Sequence, residues 1–586
     1  MLKIAQLSKL TENTIHKVTL NETSIILILS NGKVKAYEST CPHQGADLST
    51  GHIENDSIVC PMHGRKFSCQ DGSEKQFNSC LKKYEIVIDD DFVFLKNDEN
   101  LKSSRDTTNS ENLIEYNNLP SPPKKFLVGH LPDFNQEHKH LVIEDWAKKT
   151  GEVFKISLMG KKFIVSTNSE INTEILKNRP DKFTRYNKIG TVMKEMGIEG
   201  VFSVEGEQWK KHRKITAEAL NAKNVKGFFP ILSDMTERLY QRWEGIAKNG
   251  TTIDVQKEMT YYTVDLTTKI AFGYETKTML KSGNVIQNQL EKIFPTINRR
   301  ITAPLPTWRY IKSKEDKEFD YALDKVQNTV KEFIAQAQSN LSLNPEKKAE
   351  PSNFLEALLV EQEKEKTFSD KEIFGNVFTI LLAGEDTTSN TISWTLYYLA
   401  THPEVFDKVR QEADRLLGNQ ALPTDYDIMQ SLKYTEAVAN EAIRIKPATP
   451  TLIMQALEDV QVKNLKIKKG MSVLMQNKVA QTSDQHFKDA NQFIPERWQQ
   501  DISGCPFHGQ HTPDVVKSFG AGPRFCPGKN LAIQEIKMAV SMICKNFDIE
   551  LAVQPEEVKE VFAFTMYPKN LMFKLKSRTE KMVALD

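Results

Sequence analysis

Two hydrophobic patterns divide the chain. In the first 96 residues, short apolar runs such as 24–30 and 92–96 alternate with Asn-Gly, Asp-Gly and Asp-Asp turns. Short runs bounded by such turns predict an antiparallel all-β domain. Beyond residue 119 amphipathic helical patterns dominate, with brief strand-like runs at 153–158 and 162–166. We therefore predict a multidomain chain with an all-β domain first and a mainly α (α+β) domain second.

The segment between these domains has the composition of a connector. From 98 to 118 it is rich in Asp, Glu, Asn, Lys, Ser, Arg and Thr, and it is almost free of apolar residues before Leu113. Such segments cannot bury enough apolar surface to fold. We expect domains at 1–97 and 119–586, joined by a flexible linker at 98–118.

The longest predicted helix begins after Ser369 and ends before Pro403. Ser369 and Glu372 have the spacing of a capping box, and a proline stops a helix that reaches it. Within its apolar middle lies Ala-Gly-Glu-Asp-Thr-Thr at 383–388. Two adjacent carboxylates in an apolar run cost free energy unless water or a partner meets them.

Composition excludes some classes of function. With 78 basic and 77 acidic residues the formal net charge is +1, which gives no reason to expect nucleic-acid binding. Seven cysteines in 586 residues are too few for a disulfide framework and favour a reducing compartment. No uncharged apolar run is long enough for a membrane span. We expect a cytoplasmic protein without a membrane anchor.

Two Cys/His pairs lie in the β-rich part, Cys41-Pro-His43 and Cys60-Pro-Met-His63. Two thiolates and two imidazoles can hold structural zinc, which stays open as an alternative. The flanking Gly-rich strand and turn segments resemble the Rieske ferredoxin family instead. That resemblance implies a 2Fe-2S cluster with both cysteines on one iron and both histidines on the other.

A single cysteine, Cys526, lies in the Gly- and Pro-rich string Phe-Gly-Ala-Gly-Pro-Arg-Phe-Cys-Pro-Gly at 519–528. This string resembles the signature of the cytochrome P450 superfamily. The resemblance implies a haem b whose iron is bound by Cys526, with Arg524 on a haem propionate and Phe519 beside the sulfur. A thiolate ligand pushes electron density toward iron and favours O–O cleavage.

Other motifs in the second domain resemble the same family. Trp209 and Arg213, four residues apart, resemble its Trp-x-x-x-Arg pair, which holds a haem propionate. The string at 383–388 resembles its Ala-Gly-x-Asp/Glu-Thr-Thr pattern. There the resemblance implies that Thr387 donates a hydrogen bond to dioxygen and that Asp386 relays protons.

A third family motif is structural. Glu441 and Arg444, three residues apart, together with Arg497 resemble the family's Glu-x-x-Arg and second-arginine lock beneath the haem. The chain departs from the family at Met454, where an arginine often contacts a propionate. We therefore expect the propionate contacts to rest on Trp209, Arg213 and Arg524.

Together these resemblances predict a haem-thiolate monooxygenase that inserts one oxygen atom of O2 into a hydrophobic organic substrate. No Gly-x-Gly-x-x-Gly follows a strand and opens a helix, so electrons are expected from a separate NAD(P)H-dependent flavoprotein ferredoxin reductase, through the Rieske cluster. Apolar segments at 189–201, 378–383, 449–453 and 562–566 are the predicted pocket walls.

Three other functions remain as alternatives. A Rieske non-haem oxygenase needs an Asp/Asn-x-x-His-x-x-x-x-His triad, and this spacing does not occur in the chain. A haem-thiolate isomerase or peroxygenase needs no electrons, and a redox sensor would use the Rieske domain as a regulator. The fused Rieske pairs and the Asp386-Thr387 pair favour the monooxygenase over these alternatives.

Overall fold

The computed structural model describes most of the chain. The described residues are 2–20, 23–30, 32–42, 47–61, 65–74, 79–96, 113–134, 137–276, 278–279, 285–303, 305–349, 351–365, 368–499 and 512–578. The predicted ligands His43 and His63 and most of the predicted linker lie outside these ranges.

The N-terminal part is all β, as predicted. Its strands are β1 (Leu2–Gln6), β2 (Ile15–Leu20), β3 (Thr23–Ser30), β4 (Lys33–Glu38), β5 (His52–Glu54), β6 (Ser57–Val59), β7 (Lys66–Ser68), β8 (Ser73–Glu74), β9 (Ser79–Cys80), β10 (Lys83–Tyr84), β11 (Ile86–Asp89) and β12 (Phe92–Leu95). They pair in the orders β10-β4-β3-β2, β1-β12-β11, β5-β6-β7 and β8-β9, always antiparallel.

The continuous apolar run of β3 follows from its central position. Ile26 and Ile28 belong to one buried cluster, while Ile25 and Leu27 belong to another. Successive side chains of a strand point to opposite faces, so β3 is covered on both sides. The first of these clusters also contains Cys41 and is therefore the one beside the predicted cluster ligands.

The second part is mainly helical. Its helices are α1 (Lys139–Thr150), α2 (Ser169–Lys177), α3 (Asn187–Glu195), α4 (Gly206–Ala219), α5 (Ala222–Gly227), α6 (Phe229–Asn249), α7 (Val255–Phe272), α8 (Val285–Thr302), α9 (Lys314–Leu343), α10 (Phe354–Glu365), α11 (Asp370–Thr401), α12 (Pro403–Leu417), α13 (Tyr426–Ser431), α14 (Lys433–Ile445), α15 (Asn477–Gln481) and α16 (Lys529–Asn546). None of these helices has both the length and the hydrophobicity that crossing a bilayer requires.

Strands border the helical core. They are β13 (Val153–Leu158), β14 (Lys161–Ser166), β15 (Phe183–Arg185), β16 (Ile253–Asp254), β17 (Thr451–Ala456), β18 (Val460–Val462), β19 (Leu465–Ile467), β20 (Ser472–Gln476), β21 (Phe547–Leu551), β22 (Lys559–Phe562), β23 (Met566–Lys569) and β24 (Met572–Ser577). The largest sheet has the order β13-β14-β20-β17-β15, in which β14 and β20 are parallel. The hairpin β22-β23 stands apart from it.

The chain joins the second domain before the predicted boundary at 119. Ile114 N–H donates to Asn464 O at 2.8 Å, and Lys466 N–H donates to Ile114 O at 3.0 Å. The Tyr116 hydroxyl donates to Ile156 O at 3.2 Å. The end of the predicted linker is therefore held on the sheets of the second domain.

Helix α11 is the central element of the second domain. Ser369 caps its N-terminus in a reciprocal capping box with Glu372, as predicted, and it ends just before Pro403. Most of its length is buried, and α7 packs along it. At Gly384 a Cβ atom would lie 2.8 Å from Thr267 on α7, so glycine permits this close approach.

A second close approach on α11 yields a stability prediction. A Cβ at Gly375 would lie 2.4 Å from Glu199 O, which belongs to the backbone that packs on the helix. Gly375→Ala is therefore expected to lower the free energy of unfolding by about 1–3 kcal/mol through overpacking. Urea unfolding followed by circular dichroism measures the change.

Gly245 on α6 provides the matched control, because a Cβ there meets nothing within 4 Å. Gly245→Ala is expected to raise the free energy of unfolding by about 0.5–1 kcal/mol, since alanine is the better helix former. Equal effects of the two substitutions would contradict the packing account.

Candidate active site

The loop of Cys526 is a tight turn that only glycines allow. Cys526 N–H donates to Phe519 O at 2.8 Å and closes the loop. Gly520 and Gly522 have φ values of 78° and 66°, in the left-handed region. A Cβ at Gly522 would also lie 2.6 Å from Leu176 O. The loop therefore holds the sulfur just ahead of the N-terminus of α16.

Burial raises the pKa of the Cys526 thiol, because a thiolate is poorly solvated there. Hydrogen bonding from the backbone of Gly528, the positive charge of Arg213 and that of Lys529 act in the opposite direction. The partial positive charge of the Gly528 backbone and the full charges of Arg213 and Lys529 thus lie near the Cys526 sulfur. A metal cation bound to the Cys526 sulfur would further stabilise the thiolate. The groups around this sulfur therefore fit a thiolate-ligated metal.

Trp209 and Arg213 lie on one face of α4, and both are less than one-tenth exposed. The Arg213 guanidinium stacks 4.3 Å from the centre of the Phe525 ring, and Nη1 donates to Phe525 O at 2.9 Å. Its Nη2 is buried without a hydrogen-bond partner among the described residues. A hydrogen-bond acceptor beside Arg213 is therefore missing from the described residues, and an anionic group would also match the guanidinium charge.

Arg524 faces the same region from the Cys526 loop. Its guanidinium lies 4.9 Å from the Trp209 ring centre and forms an ion pair with Glu205. Glu205 also meets Arg179, at 3.4 Å. Burial, then Arg179 and Arg185, lower the pKa of Arg524. Glu205 thus pairs with two guanidinium groups, while the charge of Arg185 also acts on Arg524, and this excess of positive charge fits an anionic ligand such as the two propionates of haem.

Arg185 is a site residue that the sequence analysis missed. It lies on β15 directly opposite Met454 of β17, the position where the family often has an arginine. Burial lowers the pKa of Arg185 to about 9, and its guanidinium stacks 3.9 Å from the Phe202 ring centre. An arginine on the neighbouring strand therefore brings positive charge to the region that Met454 leaves neutral.

Asp386 and Thr387 lie in the middle of α11, where Ala383 is exposed although most of the helix is buried. Thr387 Oγ1 donates to Ala383 O at 2.7 Å. Burial raises the pKa of Asp386 to about 6, although a hydrogen bond from Thr565 lowers it. Such a carboxyl group is able to gain and lose a proton near neutral pH.

Glu441, Arg444 and Arg497 come together in a buried network. Arg444 makes two parallel hydrogen bonds to Glu441, at 2.8 and 2.7 Å, and Arg497 Nε donates to Glu441 at 3.2 Å. Trp498 Nε1 adds a bond of 2.9 Å, which the sequence analysis did not predict. Arg444 also donates to Gln481 O and Ala490 O, so the network ties α14 to the loop after α15.

In the N-terminal part, Cys41 and Cys60 are each about 1% exposed. The loop after Cys41 is closed by the bridge between Thr40 and Asp47, and the loop after Cys60 by Cys60 N–H donating to Arg65 O at 2.8 Å. Burial lowers the pKa of Arg65, whereas Glu74 and the two cysteines act in the opposite direction, so this guanidinium lies near both sulfurs. Two buried sulfurs in one core cluster fit a shared iron centre.

Comparison with known proteins identifies both parts. Residues 119–575 match the family model described as cytochrome P450. The chain belongs to the cytochrome P450 family. Residues 1–85 match the model of the Rieske [2Fe-2S] domain. The predicted fold, with an all-β Rieske domain before a mainly helical P450 domain, is confirmed.

Several known proteins are similar to the chain. Protein LUTEIN DEFICIENT 5, chloroplastic, from Arabidopsis thaliana is 25% identical over 71% of this chain and 70% of that protein. The putative cytochrome P450 CYP13A7 from Caenorhabditis elegans is 28% identical over 75% and 89%. The bifunctional cytochrome P450/NADPH–P450 reductase 2 of Bacillus subtilis (strain 168) is 26% identical over 80% of this chain but only 43% of that protein.

These matches settle the enzyme class and the cofactors. The chain is a cytochrome P450 monooxygenase with a Rieske electron-transfer domain. Its cofactors are a haem with a cysteine thiolate ligand and a 2Fe-2S cluster, so zinc is excluded as the ion of the Rieske domain. Dioxygen and electron-transfer partners follow from this class.

The buried network of Glu441 yields a prediction. Arg444→Met would leave Glu441 charged and buried with fewer donors, so we expect the free energy of unfolding to fall by about 3–5 kcal/mol. Loss of this network should also release haem. Urea unfolding and the Soret band of the reduced CO complex measure the two effects.

Arg415 on α12 is exposed and serves as the control. Arg415→Met makes the same chemical change at the surface and is expected to alter stability by about 0.5 kcal/mol or less. A P450 domain of normal stability and haem content in the Arg444 variant would refute a structural role for the network.

Proposed function

We propose that this monooxygenase hydroxylates or otherwise oxygenates a hydrophobic organic substrate. A separate NAD(P)H-dependent flavoprotein ferredoxin reductase delivers the electrons through the fused Rieske domain. The observation that carries the proposal is the presence, in one chain, of a half-buried thiol loop at Cys526 and of two buried cysteines, Cys41 and Cys60. The proposed domain limits are 1–97 and 119–586, joined by the linker 98–118.

In the P450 domain, Cys526 is the proposed iron ligand, and Phe519 closes its loop. Trp209, Arg213 and Arg524 are the proposed propionate contacts, to which we add Arg185 on the strength of its position opposite Met454. When bound, the haem supplies reductive activation of O2, from which one oxygen atom enters the substrate and the other leaves as water. The surrounding residues hold its charge and exclude bulk water.

Asp386 and Thr387 are the proposed proton-delivery pair. Asp386 has a pKa near 6 and is therefore able to pass a proton into the site and to regain one from water. The Thr387 hydroxyl hydrogen is directed at Ala383 O. To donate into the site, that hydroxyl must rotate away from the carbonyl, which leaves Ala383 O free for a water molecule.

Glu441, Arg444 and Arg497 have a proposed structural role. Their charges are internally paired and buried, and they connect α14 to the loop that follows α15. Nothing in this geometry directs a proton or an electron. Their place in the proposed mechanism is to fix the polypeptide on which the Cys526 loop rests.

Cys41, His43, Cys60 and His63 are the proposed cluster ligands. When bound, the cluster supplies single electrons. Burial, and then the positive charge of Arg65, lower the pKa of Lys529 to about 8. Arg65 directly follows the loop of Cys60, and Lys529 begins α16 just after Cys526.

The pocket region supports a hydrophobic substrate. Phe564, at the turn between β22 and β23, lies 6.4 Å from the ring centre of Phe202 and 6.1 Å from that of Phe294. Phe562 and Met566 on either side are buried in the hairpin. Three aromatic rings from three separate elements thus form an apolar surface on the predicted wall.

The electron path has a direct test. The purified chain is mixed with NAD(P)H and a ferredoxin reductase under CO, without dithionite. Cys41→Ser should abolish haem reduction while leaving the oxidised Soret band unchanged, because the cluster is lost and the haem is not. Stopped-flow absorbance of the CO complex measures the rate.

Cys80→Ser is the control for this variant, because Cys80 lies on β9, outside both Cys/His pairs. It should reduce haem at the wild-type rate. Unimpaired haem reduction by Cys41→Ser would refute transfer through the Rieske domain.

The pocket proposal predicts weaker ligand binding when the central ring is removed. Phe564→Ala should raise the dissociation constants of apolar ligands about tenfold, as expected for the loss of roughly 1.4 kcal/mol of aromatic contact. Ligand-induced shifts of the Soret band measure these constants. Phe126→Ala, at a side chain that is 91% exposed, is the control, and equal constants for the two variants would contradict the proposed wall.

A further inference from the structure

The hairpin β22-β23 reaches α11 at the proposed proton-delivery residue. Thr565 Oγ1 donates a hydrogen bond of 3.3 Å to Asp386 Oδ2, although 179 residues separate the two in sequence. Thr565 is 3% exposed and stands next to Phe564 at the turn. The sequence analysis assigned no role to it.

The hydroxyl of Thr565 is held in one orientation. Asn390 Nδ2, one helical turn after Asp386, donates to Thr565 Oγ1 at 2.9 Å. Gln256 Nε2 on α7 in turn donates to Asn390 Oδ1 at 2.5 Å. An amide N–H only donates, so these two bonds fix the amide of Asn390 and direct the hydroxyl hydrogen of Thr565 at Asp386.

The backbone keeps the hairpin in this place. Phe562 N–H donates to Glu137 O at 3.0 Å, and Met566 N–H donates to Ala448 O at 2.8 Å. Both strands are therefore tied to neighbouring loops on either side of Thr565. The backbone hydrogen bonds of the hairpin therefore fix the position of Thr565.

We propose that Thr565, oriented by Asn390 and Gln256, is a positioning residue for Asp386. Its hydroxyl keeps Oδ2 of Asp386 as a hydrogen-bond acceptor, so Oδ1 is the oxygen that carries the transferred proton. This inference rests on the proposed role of Asp386. When the O–H bond at Oδ1 breaks, the proton passes to an acceptor in the site and the carboxylate keeps the electron pair. Thr565 O–H stabilises that charge, and water from solvent returns a proton to Oδ1.

The same chain of bonds is not a path for protons from solvent. Asn390 and Gln256 are amides, which do not exchange protons as carboxyl or imidazole groups do. Each bond in the series points toward Asp386, from Gln256 to Asn390 to Thr565. The series therefore orients the acid.

The ionisable groups near Asp386 define the controls that a titration needs. Tyr567 on β23 has a pKa that burial, Glu137 and Asp386 all raise. Glu385 is the neighbour on α11, and burial raises the pKa of Glu535 on α16 to about 8. A carboxyl band in the infrared spectrum is therefore assigned to Asp386 by its loss in Asp386→Asn.

The test titrates that infrared band in the resting, haem-loaded full-length chain. Thr565→Val keeps the shape but removes the donor, so the midpoint of the Asp386 band should rise by about one pH unit. Thr565→Ser should restore the wild-type midpoint. Asn390→Ala, a second variant on α11, should shift the midpoint in the same direction by a smaller amount.

Turnover gives the functional arm of the test. Thr565→Val should lower the fraction of NAD(P)H electrons recovered as water and product in favour of hydrogen peroxide, and Thr565→Ser should not. If the infrared midpoint is unshifted in Thr565→Val while turnover is uncoupled in Asp386→Asn, the inference about Thr565 is overturned and the role of Asp386 stands. Normal coupling in Asp386→Asn would overturn the role of Asp386 itself, and the inference with it.

Discussion

Holding negative charge on a buried sulfur is the constraint on which the P450 domain depends. Burial alone favours the neutral thiol at Cys526, so positive charge has to be brought to it. The backbone of Gly528 at the start of α16, Arg213 from α4 and Lys529 each contribute. The glycines of the loop let these groups approach, and the Glu441 network fixes α14, which packs on α16.

The same need for balanced charge explains the arginines near Trp209. Two guanidinium groups share Glu205, and the Arg213 Nη2 atom lacks a hydrogen-bond partner among the described residues. Without an anionic ligand this arrangement would be costly, because like charges are brought together away from water. In the proposed site, the two propionates of haem would balance this charge. The domain is therefore built for its cofactor, and a part of its stability comes from binding it.

Sequence reasoning found contacts between residues that are close in sequence, and it missed contacts that depend on how distant strands pair. Glu441 and Arg444 are three residues apart on one helix, so their meeting was readable from spacing, and the capping box of α11 was equally local. Arg185 was not found, because its position opposite Met454 depends on the pairing of two short strands. Thr565 was not found either, since no periodicity places a hairpin turn beside a helix 179 residues away.

The hairpin turn also connects two tasks that catalysis has to coordinate. Phe564 faces the aromatic wall, while the next residue, Thr565, faces the acid. A rigid turn cannot move one of these side chains without moving the other. In the proposed function, pocket shape and proton delivery are therefore coupled through adjacent residues, Phe564 and Thr565. The proposed proton donor and the proposed substrate wall are thus held by one hairpin turn.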